Sequence, residues 1–144
     1  MPPTPGALVR QWFEELWNQG KEDTIDRLMT PDTEVHGLPT PDGKPLRGPD
    51  AFKPFFRAFR GAFPDLRVTV VRTITEGDLV VAHCRTSGTH LHATLGMAPT
   101  GKSVDFWGMC IVRTRDGKLV EGWNCFDFLT FYQQIGLLPA LPVA

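Results

Sequence analysis

The chain has 144 residues, 42% hydrophobic and 22% charged, which is the composition of one globular domain and not of a disordered segment. Its 15 Lys and Arg oppose 16 Asp and Glu for a formal charge of −1, which excludes a general electrostatic grip on nucleic acid. No apolar run nears the ~20 residues that span a bilayer, residues 1–6 lack the basic-then-apolar order of a secretory leader, and Cys84, Cys110 and Cys125 show no CxxC spacing for structural zinc. The expectation is a reduced, cytoplasmic chain with no membrane or nucleic-acid partner.

Residues 7–19 place Leu8, Val9, Trp12, Phe13, Leu16 and Trp17 at helical spacing, and Gly20 is a natural stop. A shorter helix is predicted over 23–29, ended by Thr30-Pro31 because the residue before proline avoids the helical region. Residues 36–49 are rich in Pro and Gly and read as loop. A third helix follows Pro49-Asp50, with Phe52, Phe55, Phe56, Phe59 and Phe63 on one aromatic stripe and Pro54 in the first turn.

After Pro64 the period changes to two. Strands are predicted over 66–75, 79–90, 102–115 and 118–126, with hairpin turns at Glu76-Gly77-Asp78 and Asp116-Gly117. A final helix over 128–135 stops at Gly136. The order implies an α+β fold in a single domain, 1–144. Three N-terminal helices and a short C-terminal one pack on one face of a curved antiparallel sheet of about four long strands. Helices over a curved sheet enclose an apolar pocket, a common place for a small-molecule site. The strand over 102–115 is apolar on both faces: Phe106, Cys110 and Val112 alternate with Trp107, Met109 and Ile111. A homodimer packed through the sheet would cover the second set.

Several short pieces, in this order and spacing, resemble the SnoaL-like polyketide cyclase (ester cyclase-like) family of the NTF2-like superfamily. They are Trp17-Asn18-Gln19-Gly20, Ala62-Phe63-Pro64-Asp65-Leu66, Gly88-Thr89-His90 running to Gly96, Pro99-Thr100-Gly101-Lys102, Arg115-Asp116-Gly117-Lys118 leading to Glu121 and Trp123, and Asp127 before Gln133-Gln134-Ile135-Gly136. The resemblance covers about residues 7–138. His92, where the family often has a small residue, and Cys110, where it often has a polar or larger one, depart from the pattern. The resemblance implies an NTF2-like cone and a cofactor-free enzyme that closes a ring by intramolecular aldol chemistry on an apolar, polyketide-like molecule. It also implies that Asp127 acts as acid/base with His90 near it. The fold class includes isomerases, hydrolases and transport factors, so fold alone does not settle function.

The residues can be weighed on their own chemistry. Counting back by two from Asp127 gives Cys125, Trp123, Glu121 and Leu119 on one strand face, so Asp127 would close a largely apolar row. Burial there would raise its pKa toward the range useful for returning a proton. Asp127 also stands where a helix begins, as an N-cap, and capping would lower the pKa; both roles remain open. By the same parity Asn124 faces away from the pocket unless a bulge intervenes.

His90 shares a strand face with Val80, Ala82, Cys84, Thr86 and Gly88 and is either a pocket group or a core histidine satisfied by a carbonyl. His92 follows on the same face, and a His-x-His pair could supply metal ligands with His36, Asp127 or Glu121. No further ligand spacing supports this, and no metal is expected. His36 is either a surface-loop histidine or a group at the pocket mouth, where the resemblance implies a histidine; His36 and His92 are candidate substrate contacts, and Trp12, Phe56, Phe59, Phe106 and Trp123 are candidate walls or plain core packing. Cys84 and Cys110 read as small buried hydrophobes. Tyr132, the single tyrosine, leaves little for a tyrosine-built oxyanion hole. Two other functions fit the pattern: a non-catalytic ligand carrier, which needs only the cavity, and an epoxide-hydrolase-like enzyme, for which Arg85 and Asp105 are available.

Overall fold

The structure is a computed structural model that describes residues 3–94 and 96–142. The chain opens with α1 (Pro5–Gln11), capped by the Thr4 side chain, which accepts from the Ala7 N–H. It continues without a break into a π-helical segment, Trp12–Asn18. The wider turn suits the sequence. Trp12, Phe13, Leu16 and Trp17 are spaced so that i→i+4 and i→i+5 neighbours share a face, and all four are buried. α2 (Asp23–Leu28) and α3 (Gly48–Ala62) complete the N-terminal helices. α3 begins three residues before the expected start, so Pro54 lies in its interior and not in its first turn. Among the described residues no helix is long and apolar enough to cross a membrane.

Among the described residues the sheet has six strands, the four long ones expected and two more. They are β1 (Met29–His36), β2 (Leu46–Arg47), β3 (Arg67–Glu76), β4 (Leu79–Thr89), β5 (Ser103–Arg115) and β6 (Lys118–Phe126), in the spatial order β2-β1-β6-β5-β4-β3. The four long strands fall within a residue or so of the predicted bounds, and α4 (Phe128–Ile135) matches its prediction. β1 was unforeseen: Met29 begins a strand, not the end of a helix, and β1 pairs parallel to β6, unlike the rest of the sheet. Its register shifts between Met29 and Glu34, which lets Pro31 sit in an irregular stretch. The hydroxyl of Thr33 donates to Leu119 O at 2.7 Å and accepts from Thr30 N–H at 2.9 Å, closing that irregularity.

The helices cover one face of the sheet. Val80, Ala82 and Cys84 of β4 and Val104, Phe106 and Cys110 of β5 are buried beneath them with Phe52, Phe63 and Phe131. Gly108 on β5 is buried because the ring of its β6 partner, Phe126, lies directly over it in the space a Cβ would take. The other sheet face carries Trp107, Met109 and Ile111, exposed at 45%, 52% and 42%. The pairings Ile74–Val81–Ile111–Trp123–His36 align one row across five strands of that face.

Candidate active site

Between the helices and the covered sheet face lies a cavity of about 100 Å³, several times the ~10–15 Å³ that holds one water. Its wall is overwhelmingly apolar. Trp12 and Trp17 come from the π-helical segment, Phe52, Phe55 and Phe59 from α3, Phe106 from β5, and Phe126 and Phe128 from the β6–α4 corner. The rings hold one another in place: Trp17 meets Phe56 edge-on at 5.2 Å, and Phe59 stacks on Phe131 at 5.5 Å. Polar side chains in the wall are few: Thr33, Thr86, Glu121 and Asn124.

Trp12, Phe59 and Phe106, expected as walls, line the cavity. Phe56 is instead buried behind Trp17 and is not part of the wall, whereas Phe55 is. Trp123 lies on the opposite sheet face. The reason is a register shift in β6: Arg113 pairs with Glu121, but the next residue, Thr114, pairs with Leu119, leaving Val120 extra. The bulge changes the parity, because each residue inserted turns every later side chain to the other face. Gly122, Asn124 and Phe126 therefore face the cavity, and Trp123 and Cys125 turn away from it. Asn124 donates from Nδ2 to His36 O at 3.0 Å, fixing its amide at the cavity wall.

The expected environment of Asp127 is corrected by the same geometry. Its side chain is exposed and absent from the cavity wall, and it caps α4. It accepts from the Thr130 hydroxyl at 2.6 Å and the Thr130 N–H at 3.0 Å. These two donors hold its carboxyl below the ordinary aspartate range, opposite to the raised pKa that burial would produce.

His90 is wholly buried but not in the cavity wall. Its ring stacks on Phe63 at 5.4 Å, and Nδ1 accepts from the Thr100 N–H at 3.3 Å, with the Thr100 hydroxyl 3.0 Å away. His92 does not share its strand face, because β4 ends at Thr89 and His92 lies in an exposed loop. The expected His-x-His arrangement therefore does not form.

His36 lies on the open sheet face, its ring stacked on Trp123 at 5.7 Å with 10° between planes. Its Nε2 is 2.7 Å from a carboxylate oxygen of Glu121. An ionised carboxylate only accepts, so Nε2 carries the proton of this bond. Glu121 sits at the bulge, where β6 changes faces; it borders the cavity and reaches His36 as well. Counting by two from Asp127 already puts Glu121 on the cavity side, as one member of the row that Asp127 closes; the chemistry read for it from sequence was that of a metal ligand. Glu34 also approaches His36, at 3.6 Å, and ligand atoms of Glu34, His36 and Glu121 lie within 4.8 Å of one another, close enough to share an ion. Arg47 stands 3.6 Å from Glu34.

Arg85 and Asp105 form a two-pronged ion pair at 2.8 and 2.6 Å, exposed on the open face beside Trp107, so they are not cavity groups. Cys110 lines the cavity and Cys84 lies near it; burial pushes both thiols up to about 12 and leaves them poor nucleophiles.

The model of the SnoaL-like polyketide cyclases matches residues 7–135. The chain belongs to the SnoaL-like polyketide cyclase family. Among the relatives of this SnoaL-like chain is nogalonic acid methyl ester cyclase of Streptomyces nogalater, 29% identical over 126 residues that cover 83% of this chain and 89% of that protein. Another is aklanonic acid methyl ester cyclase AcmA of Streptomyces galilaeus, 28% identical over 131 residues, 90% of this chain and 89% of that one. Among solved structures, IdmH of Streptomyces antibioticus, a candidate polyketide cyclase, superposes with a TM-score of 0.79 at 29% identity, covering 93% of this chain and 99% of its own. A candidate SnoaL-like polyketide cyclase from Jannaschia sp. CCS1 gives a TM-score of 0.81 at 27% identity, over 92% and 91%. The α+β, NTF2-like architecture is thus shared, with an open sheet of six strands.

Proposed function

We propose that this SnoaL-like protein closes a ring in an apolar, polyketide-like methyl ester by cofactor-free aldol chemistry, with Glu121 as the acid/base. One observation carries the assignment: among the described residues, Glu121 is the one carboxylate in the cavity wall. A carbon flanked by carbonyls is acidic enough to yield a proton to a positioned carboxylate. The enolate then attacks a second carbonyl of the same molecule, forming the carbon–carbon bond, and the new alkoxide takes back the proton from Glu121. His36, hydrogen-bonded to Glu121, fixes the position of its carboxylate. The aromatic wall holds the flat substrate in a conformation where the two carbons meet, which supplies the orientational part of catalysis.

The product is an isomer of the substrate, so the test is direct. Nogalonic acid methyl ester, mixed with protein dialysed against EDTA, should be converted to a product of identical mass and altered absorption. Absence of conversion with this substrate and with aklanonic acid methyl ester would refute the reading.

The proposal includes a homodimer packed through the open sheet face. It is supported by the exposed Trp107, Met109 and Ile111 and their continuation to Ile74 and Trp123, a contiguous apolar surface that a monomer would leave in water. The three free cysteines suit a reducing compartment such as the cytoplasm.

A further inference from the structure

Four threonines are buried in the core of the described structure, and three have hydroxyls that are accounted for. Thr24 lies 3.3 Å from Glu15, Thr33 donates to Leu119 O at 2.7 Å, and Thr114 donates to Asp78 O at 3.3 Å. The fourth, Thr86, is 3% exposed, and its Oγ1 has no partner. A buried hydroxyl without a partner is costly, and nearly all such groups in folded proteins are satisfied by protein, water or ligand. Thr86 lies in the cavity wall. Its strand partners are Val68 and Phe106, which are also cavity residues and offer no side-chain acceptor or donor. Whatever satisfies Oγ1 therefore comes from the cavity.

We infer that Thr86 is an anchoring residue that hydrogen-bonds an oxygen of the bound ligand, fixing which end of a flat molecule enters the cavity. The inference rests on the reading of this cavity as the substrate site and goes beyond it by naming a specificity contact. Thr86 is level with Phe106 on β5, and Asn124 is level with Cys110 on the same strand. Four residues along a strand is roughly 13 Å, so Thr86 and Asn124 grip different parts of one molecule. The ligand they favour is elongated and fused-ringed, with a carbonyl or phenol oxygen at its leading end and its reacting carbons at the Glu121 end. A hydroxyl both donates and accepts, so Thr86 serves either type of oxygen and rejects a leading edge that carries only hydrogen.

Thr86→Val keeps the shape and removes the hydroxyl; Thr86→Ser keeps the hydroxyl. The probes are 1-naphthol and naphthalene, which differ by one oxygen, and the readout is quenching of Trp12 and Trp17 fluorescence. The native protein should bind 1-naphthol more tightly. Thr86→Val should weaken 1-naphthol by about 3- to 10-fold, the range of one hydrogen bond, and leave naphthalene unchanged or tighter. Thr86→Ser should retain the preference. Thermal stability should hold or rise in Thr86→Val, since the variant no longer buries an orphan hydroxyl. A preference for 1-naphthol that survives intact in Thr86→Val, or its absence from the native protein, would overturn the anchor. Binding of neither probe would instead overturn the cavity as an aromatic-ligand site.

Discussion

Gly37→Ala should separate the strands that carry the site and lower both stability and turnover. Gly37 follows His36 at the end of β1 and has φ +82°, a left-handed conformation that side chains resist. A Cβ there would overlap the backbone oxygen of Asn124, so β1 could accommodate it only by moving away from β6. The left-handed backbone costs roughly 1–2 kcal/mol and forcing the strands apart about 1–3 kcal/mol more. At ~3–4 °C per kcal/mol for a chain of this size, the melting temperature should fall by roughly 6–20 °C. The displaced backbone includes His36 O, which Asn124 holds, and the neighbouring His36–Glu121 contact. Turnover measured well below the melting temperature should therefore fall as well. Urea denaturation and calorimetry measure the first effect, and initial rates at low temperature the second. A variant with native stability would refute the close approach, and one that melts early but turns over normally would refute the link between this strand pair and catalysis.

Thiol titration gives a second check. Burial pushes Cys84 and Cys110 up to about 12, so neither should react with DTNB at pH 8 in the folded protein, and all three cysteines should react in denaturant. Cys125 is exposed on the open face opposite Met109, and its reaction should slow as concentration rises and that face becomes covered. Met109→Asp places a charge on the same surface and should shift the sedimentation of a dimer to that of a monomer; an unchanged sedimentation coefficient would count against the interface. Asp65 is partly desolvated, which would raise its pKa, but the N–H and hydroxyl of Thr89 outweigh this and hold it below the ordinary range. A depressed folded pKa stabilises above the unfolded value of ~3.9 and is lost as pH falls below it. Asp65→Asn should flatten the acid limb of stability against pH, and an unchanged acid limb would refute that role.

The long strands and α4 were legible because they alternate cleanly or end in turn residues with defined backbone needs, as at Asp116-Gly117, where both residues have positive φ. β1 was not. Its segment contains Pro31 and lacks an apolar alternation, and it is held in the sheet by a bulge and by Thr33, contacts distant in sequence. The facing of the β6 side chains is illegible for a related reason. Counting by two along β6 is valid only while the register holds, and the extra residue at Val120 exchanges the faces. Asn124 thereby enters the cavity wall and Trp123 leaves it. Glu121, at the crossing point, reaches both faces. Asp127 carried two possible roles in the sequence, and Thr130 supplies the partners for the cap. The orphan hydroxyl of Thr86 has no sequence signal, since nothing in the local pattern distinguishes it from the satisfied threonines.

On the proposed function proton transfer belongs to Glu121, whereas Asp127 caps α4. Glu121→Gln and Asp127→Asn each change one carboxylate to an amide of the same shape, and asparagine is as good an N-cap as aspartate. With nogalonic acid methyl ester as substrate, Glu121→Gln should lower kcat by about 10²- to 10⁴-fold with the fold intact, and Asp127→Asn should turn over near the native rate. Loss of turnover in Asp127→Asn with a native rate in Glu121→Gln would contradict the account.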